Sequence, residues 1–188
     1  MTQPFFTIGH ADRRIDDFTA LLRASEVSRV VDIRKMPGSR THPQFDAQAL
    51  CASLAAQGIS YEHEAALGGL RGRSREVAAD VNGLWENRSF HNYADYALSA
   101  PFRDALAHLI DEGRRQRCAL MCAEAVWWRC HRRIVADHLL AHGQAVFHIM
   151  GPGQVVPARL TPGACVQAGG EVVYPAPAAP DHGACTNH

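Results

Sequence analysis

The sequence predicts an α/β fold: a three-layer domain with a mostly parallel central sheet, helices on both faces and a small C-terminal hairpin. Three observations carry that prediction. Short apolar runs, such as Phe5-Phe6-Thr7-Ile8 and Val30-Val31-Asp32-Ile33, are bounded by turn residues and polar both before and after. Stretches of helical periodicity separate them, and strands alternating with helices call for a parallel sheet covered on two sides. The 188 residues are 47% hydrophobic, enough for one full core. A single domain is expected over 1–175, with 176–188 a flexible tail.

Taken in order, Phe5 to Ile8 reads as a buried first strand ended by Gly9-His10. Asp16-Asp17 cap a helix whose apolar face is Phe18, Leu21, Leu22 and Val27. Val30 to Ile33 is a second strand, running into the cationic turn Arg34-Lys35-Met36-Pro37-Gly38-Ser39-Arg40. Asp46 opens a helix carrying Leu50 and Leu54, with a stop at Gly58. Ile59-Ser60-Tyr61 forms a short third strand. Residues 70–91 are irregular, which inside a compact domain points to a functional lid or partial disorder. Asn92 or Ser99 begins helical structure, and Phe102, Leu106, Leu109 and Ile110 mark an amphipathic helix ending near Gly113. Cys118 to Cys122 is a strand, 131–142 a helix stopped by Gly143, and Ala145 to Ile149 a further strand. Gly151 to Pro162 looks irregular, and Ala164-Cys165-Val166 with Val172-Val173-Tyr174 makes the hairpin.

Composition narrows the function classes. Net charge is +0 and the pI about 7.2, so no global field draws the chain onto nucleic acid or an anionic membrane. Met1 to Phe6 is too short for a secretory signal, and no apolar run reaches membrane-spanning length. A cytoplasmic protein with reduced thiols is therefore expected, which turns attention from disulfides to reactive or metal-binding cysteines. Lys35 is the sole lysine; every other cationic side chain is an arginine, a residue suited to two-pronged anion recognition.

The chemistry concentrates between Cys118 and Arg133, where a buried strand hands over to a polar loop and then to a helix start. In parallel α/β sheets ligands bind at such strand ends. The loops after the first, second and fourth strands should meet along one edge, bringing together His10, Asp32, Arg34, Ser39, Arg40, Cys122, Glu124, Cys130 and His131. Cys122 is a candidate nucleophile, lowered by nearby Arg129, His131 and Arg132, and equally a buried strand-end cysteine. Its distance to Arg129 is one residue too long for a phosphatase turn. Glu124 beside Trp127 and Trp128 is either a structural ion pair with Arg132 or Arg34, or a proton-transfer group raised by apolar neighbours. Cys122, Cys130 and His131 are the candidate metal ligands, although close Cys-x-x-Cys spacing is missing. Neither a P-loop nor a dinucleotide fingerprint occurs.

Thr7-Ile8-Gly9-His10, Val31-Asp32-Ile33-Arg34 with Ser39-Arg40, Leu67-Gly68-Gly69, Tyr93-Ala94-Asp95-Tyr96, Met121-Cys122-Ala123-Glu124, Cys130-His131-Arg132 and His148-Ile149 together resemble the blocks of the bacterial DUF488 family. The resemblance implies an α/β domain and an enzyme, because its signature residues are polar and lie on strand-end loops. It names no reaction. The family's opening block usually has a small hydroxyl residue where this chain has Ala11.

The leading expectation is an enzyme acting on an anionic substrate, with a nucleotide, nucleobase or nucleic acid favoured and a transferase or hydrolase reaction expected. Glu124, Cys122, Cys130 and His131 would be catalytic. His10, Asp32, Arg34, Ser39, Arg40, Trp127, Trp128 and Arg132 would bind substrate, the tryptophans stacking on a base. Two alternatives remain: a metal-binding protein, and a non-catalytic nucleic-acid module using Arg71, Arg73 and Arg75. Cofactor, substrate identity and oligomeric state are not specified by these residues.

Overall fold

The computed structural model describes residues 3–177. Residues 178–188, which hold most of the expected tail, lie outside the described residues. Strands β1 (Phe5–Gly9), β2 (Arg29–Asp32), β3 (Ser60–His63), β4 (Cys118–Cys122), β5 (Val146–Gly151) and β6 (Gln154–Pro157) form one sheet in the order β3-β2-β4-β1-β5-β6. The first five are parallel and β6 is antiparallel to β5. A separate hairpin pairs β7 (Cys165–Val166) with β8 (Val172–Val173).

The chain winds one way through β1, β2 and β3, then back through β4 and β5, so its helices divide between the two faces. Helices α1 (Ile15–Ala24) and α2 (Ala47–Ala55) cover one face, packing Phe18, Leu22, Leu50 and Leu54 on Phe6, Ile8, Val30 and Met121. Helices α3 (Arg88–Tyr96), α4 (Ala100–Gly113) and α5 (Arg132–Ala141) cover the other, packing Tyr93, Phe102, Leu106 and Ile134 on Phe5, Val31 and Leu120. Alternation along a strand decides which side each residue serves. On β4, Ala119 and Met121 face α1 and α2; Cys118, Leu120 and Cys122 face the three-helix side.

Several element boundaries differ from expectation, each for a local reason. Asp16 and Asp17 lie within the first turn of α1 instead of capping it, where they complement the helix dipole. Val27 is buried but follows the helix. Asn92 is inside α3, and Asn87 is the cap: its side-chain oxygen accepts from the amides of Ser89 and Phe90, whereas Asn92 donates to Arg71 O. The segment expected to be irregular after Gly151 contains β6. Its Val155 and Val156 are exposed, so no burial pattern announced a strand.

One glycine positions the chemistry. A Cβ at Gly9 would lie 1.8 Å from the carbonyl oxygen of Glu124 and 2.7 Å from its carbon. The loop after β4 is thus laid directly on the end of β1. Gly9→Ala must push that backbone away, and overpacking against main chain costs about 3 kcal/mol. Urea unfolding is expected to show a loss of that size; an unchanged midpoint would mean the loop is free to move aside.

Candidate active site

The parallel ladder continues past the ends of β1 and β4. His10 N donates to Cys122 O at 2.9 Å and Ala11 N to Ala123 O at 3.0 Å, while Ile33 N donates to Met121 O at 2.9 Å. These bonds hold the three strand-end loops side by side. They open into a cleft of about 670 Å³ lined by His10, Arg34, Ser39, Cys122, Glu124, Cys130 and His131, among others. The convergence expected from topology is present for these seven.

At the wall of the cleft the sulfurs of Cys122 and Cys130 lie 2.8 Å apart as free thiols. Arg132, only 1% exposed, is the largest fully buried side chain. Its Nη1 donates to Cys122 Sγ and, at 2.7 Å, to Glu124 O; its Nη2 donates to Ala125 O at 3.1 Å. Arg132 therefore faces away from the cleft, behind the thiols, and anchors the loop while charging the sulfur. This corrects its expected role as a substrate-binding group.

Burial pushes the Cys122 thiol up, but the Cys130 hydrogen bond and the Arg132 charge outweigh it and bring Cys122 down to about 7. Cys130 moves the other way: burial and the adjacent Cys122 hold it well above the ordinary thiol range. Cys122 is thus the thiol of the pair that ionises first, and Cys130 keeps its proton. Cys118, on the same strand and face but without such partners, is pushed up to about 12, mainly by burial.

His131 places Nε2 3.0 Å from Ile33 O and Nδ1 3.6 Å from Cys130 Sγ. Burial drops it to about 4, so the ring is neutral; with Nε2–H donating to the carbonyl, Nδ1 is an acceptor beside Cys130. His10 is lowered by burial and by the Arg34 and His42 charges. Its Nδ1–H donates to Ala11 O at 2.8 Å, its ring stacks on Phe45 at 4.3 Å, and its Nε2 faces Arg34 Nη1 at 3.5 Å. Ala11 adopts φ 47, the left-handed turn that carries the chain off β1.

Asp32 is fully buried behind the cleft and orients Arg34. It accepts from Arg34 N at 3.0 Å and Nη2 at 2.6 Å, and from Tyr61 Oη at 2.8 Å. Burial works against the Arg34 charge, but Asp32 more than restores it. Arg34 therefore presents a fixed guanidinium edge to the cleft, and Asp32, expected to bind substrate, is instead buried behind Arg34 and holds it.

Other expectations change. Glu124 is exposed, and among the described residues its carboxylate makes no hydrogen bond or ion pair. The ion pair with Arg132 or Arg34 is absent: Arg132 binds the Glu124 carbonyl, and Arg34 binds Asp32. Arg40 is exposed and does not line the cleft; nor do the tryptophans. Trp127 stacks flat on His148 at 4.4 Å, and Trp128 is 47% exposed, so neither is placed as a wall for a nucleobase. Phe90 and Tyr93 are the cleft's aromatic residues instead, brought there by α3 from across the sheet, with no local signal in the sequence. Among the described residues no group of three or more His, Cys, Asp or Glu is arranged to hold a metal ion. Around the two sulfurs the third position belongs to the Arg132 guanidinium, and His131 Nε2 is bonded to Ile33 O. Of the 70–91 arginines, Arg71 is spent on Gly68 O and Ala65 O and on the Tyr96 ring; Arg73 and Arg75 are exposed. No described helix is long and apolar enough to cross a membrane.

The family profile described as "Domain of unknown function DUF488" matches residues 14–139. That span holds β2 to β4 and nearly all of α5, with Asp32, Arg34 and the whole of Cys122 to Arg132. No curated protein and no solved structure matches the chain.

Proposed function

The chain belongs to the DUF488 family, and within that family we propose that it is a thiol-dependent enzyme acting on a small anionic substrate, with Cys122 as nucleophile. The observation that carries this reading is the fully buried Arg132 hydrogen-bonded to a strand-end thiol that lines a cleft. A buried cation without a carboxylate partner is costly. A thiolate at Cys122 supplies the missing charge, and a lowered thiol beside a cation is the activated form of a cysteine nucleophile.

The substrate reading follows from the opposite wall. Arg34, Lys35 and Arg129 face the same space, and Arg34 is held rigid by Asp32. Such a fixed guanidinium suits a carboxylate or phosphate oxygen. Glu124, exposed at the rim of the cleft, would exchange protons between substrate and water. A nucleotide remains within this class, recognised through its anionic group and through Phe90 and Tyr93.

Iodoacetamide alkylation tests the nucleophile. Thiolate, and hence reactivity, grows as pH rises through the thiol's midpoint. Cys122, followed by peptide mass mapping, should react with a midpoint near pH 7, against about 8.5 for an ordinary thiol. A midpoint at or above the ordinary value sinks the proposal. Glu124→Gln should leave the fold and this profile unchanged while removing turnover on any substrate found by thermal-shift screening; full turnover in that variant excludes the proton role.

A further inference from the structure

A nucleophile needs no second thiol in contact with it, yet Cys130 is there. Its sulfur lies 2.8 Å from Cys122 Sγ, and both are buried at 2% and 3% exposure in the wall of one cleft. The two come from different elements: Cys122 ends β4, and Cys130 precedes α5 after a short 3₁₀ turn, Trp127–Arg129. The loop between them is pinned at both of its early carbonyls by Arg132, so their approach is built by the fold. His131 Nδ1, 3.6 Å from Cys130 Sγ, addresses the second thiol and not the first.

We propose that Cys122 and Cys130 are a working dithiol, and that the cleft reduces a small anionic disulfide. The inference rests on the thiol-nucleophile reading and specifies its substrate. Cys122 thiolate attacks one sulfur of the substrate RS–SR. That S–S bond breaks, the first RS⁻ leaves and takes a proton from solvent, and Cys122 carries a mixed disulfide. Cys130 then attacks Cys122 Sγ, giving up its proton as the new S–S bond forms. The second RS⁻ leaves, collecting the proton from Cys130, and a Cys122–Cys130 disulfide remains. Two electrons pass from the protein to the substrate, and two RSH are released. A low-molecular-weight thiol restores the dithiol by the reverse exchange.

Each residue has a separate duty in this sequence. Arg132 keeps Cys122 ionised for the first attack. His131 Nδ1, beside Cys130, positions that thiol for the second attack, and Cys130 holds its proton at rest. Arg34, Lys35 and Arg129 account for the anionic character of the substrate.

Oxidised glutathione, a small disulfide bearing carboxylates, is the probe, and intact mass is the readout. The full chain is used with Cys51, Cys118, Cys165 and Cys185 replaced by serine or, at the buried Cys118, by alanine, so that only the pair can react. At pH 8 this protein should lose two hydrogens and release two glutathiones per chain, with no adduct accumulating. Cys130→Ala, and independently Cys130→Ser, should stop at one glutathionyl group on Cys122. Cys122→Ala should remain unmodified. Far-UV circular dichroism confirms that each variant is folded, and the two Cys130 replacements guard against one that is not. A stable glutathionyl adduct while Cys130 is present overturns the proposal. So does an inert Cys122 toward glutathione disulfide when iodoacetamide alkylates it with its midpoint near 7; in that case the nucleophile reading stands alone. If neither reagent modifies Cys122, both readings fall.

Discussion

Replacing Arg132 with methionine is expected to lower the rate of Cys122 alkylation at pH 7 by about 50-fold or more. With its midpoint near 7, half of Cys122 is thiolate at that pH. Without the guanidinium, burial again dominates and the midpoint passes the ordinary thiol value, leaving roughly one part in a hundred ionised. The same substitution should cost about 3 kcal/mol of stability. Methionine fills much of the volume, but the part-buried Glu124 O and Ala125 O lose their donors and the loop loses its anchor. The two effects separate in Arg132→Lys, which keeps the charge but not the fork. There the alkylation midpoint should remain below the ordinary value while urea stability still falls. A methionine variant whose Cys122 still titrates near 7 would show that Cys130 alone holds the thiolate.

How far these features were legible in the residue order depends on the range of the forces involved. Strand β4 was legible because both of its faces are buried, so Cys118 to Cys122 reads as an uninterrupted apolar run. The convergence of His10, Arg34 and Cys122 was legible because parallel connectivity forces it. The direction of Arg132 was not. At the start of a helix near a polar loop an arginine reads as a ligand-binding group, and only the register of β4 against α5 turns it inward onto Cys122. The same limitation applies to Trp127: its flat stack on His148 depends on β5 lying next to β1, a pairing between distant segments. Strand β6 was missed for the opposite reason, since an exposed edge strand shows no burial pattern.

These misreadings share a physical direction. Groups assigned to the substrate, Arg132 and Trp127, are spent on the protein itself, and Glu124, expected among apolar neighbours or in an ion pair, is exposed at the rim. The polar chemistry close to the sulfurs therefore consists of neutral imidazoles and one buried cation. That arrangement has a consequence for the whole molecule, because a neutral histidine in the core resists protonation.

Acid is accordingly expected to destabilise this protein well before its carboxylates titrate. Burial lowers His131 and His148 to about 4 and His138 to about 3. The first donates to Ile33 O, the second shares a 2.7 Å hydrogen bond with Thr7 Oγ1, and the third packs on the Phe102 ring with Nε2 unpartnered among the described residues. In the unfolded chain all three titrate near 6.5. Their stabilising effect is complete above that pH. As pH falls from 6.5 toward 4 the unfolded chain binds protons that the folded one refuses, so stability declines by about 1.4 kcal/mol per pH unit for each histidine. Asp137 acts in the opposite sense, because burial raises it and its folded form takes up a proton early; one group against three does not reverse the trend. Between pH 7 and pH 5 the net loss should be about 5 kcal/mol, measurable by urea unfolding. His148→Gln, which can still bond Thr7, should reduce the pH slope by about one histidine's share. Equal stability at the two pH values would mean that the buried imidazoles accept protons in place, and with that the neutral acceptor assigned to His131 beside Cys130 would be lost.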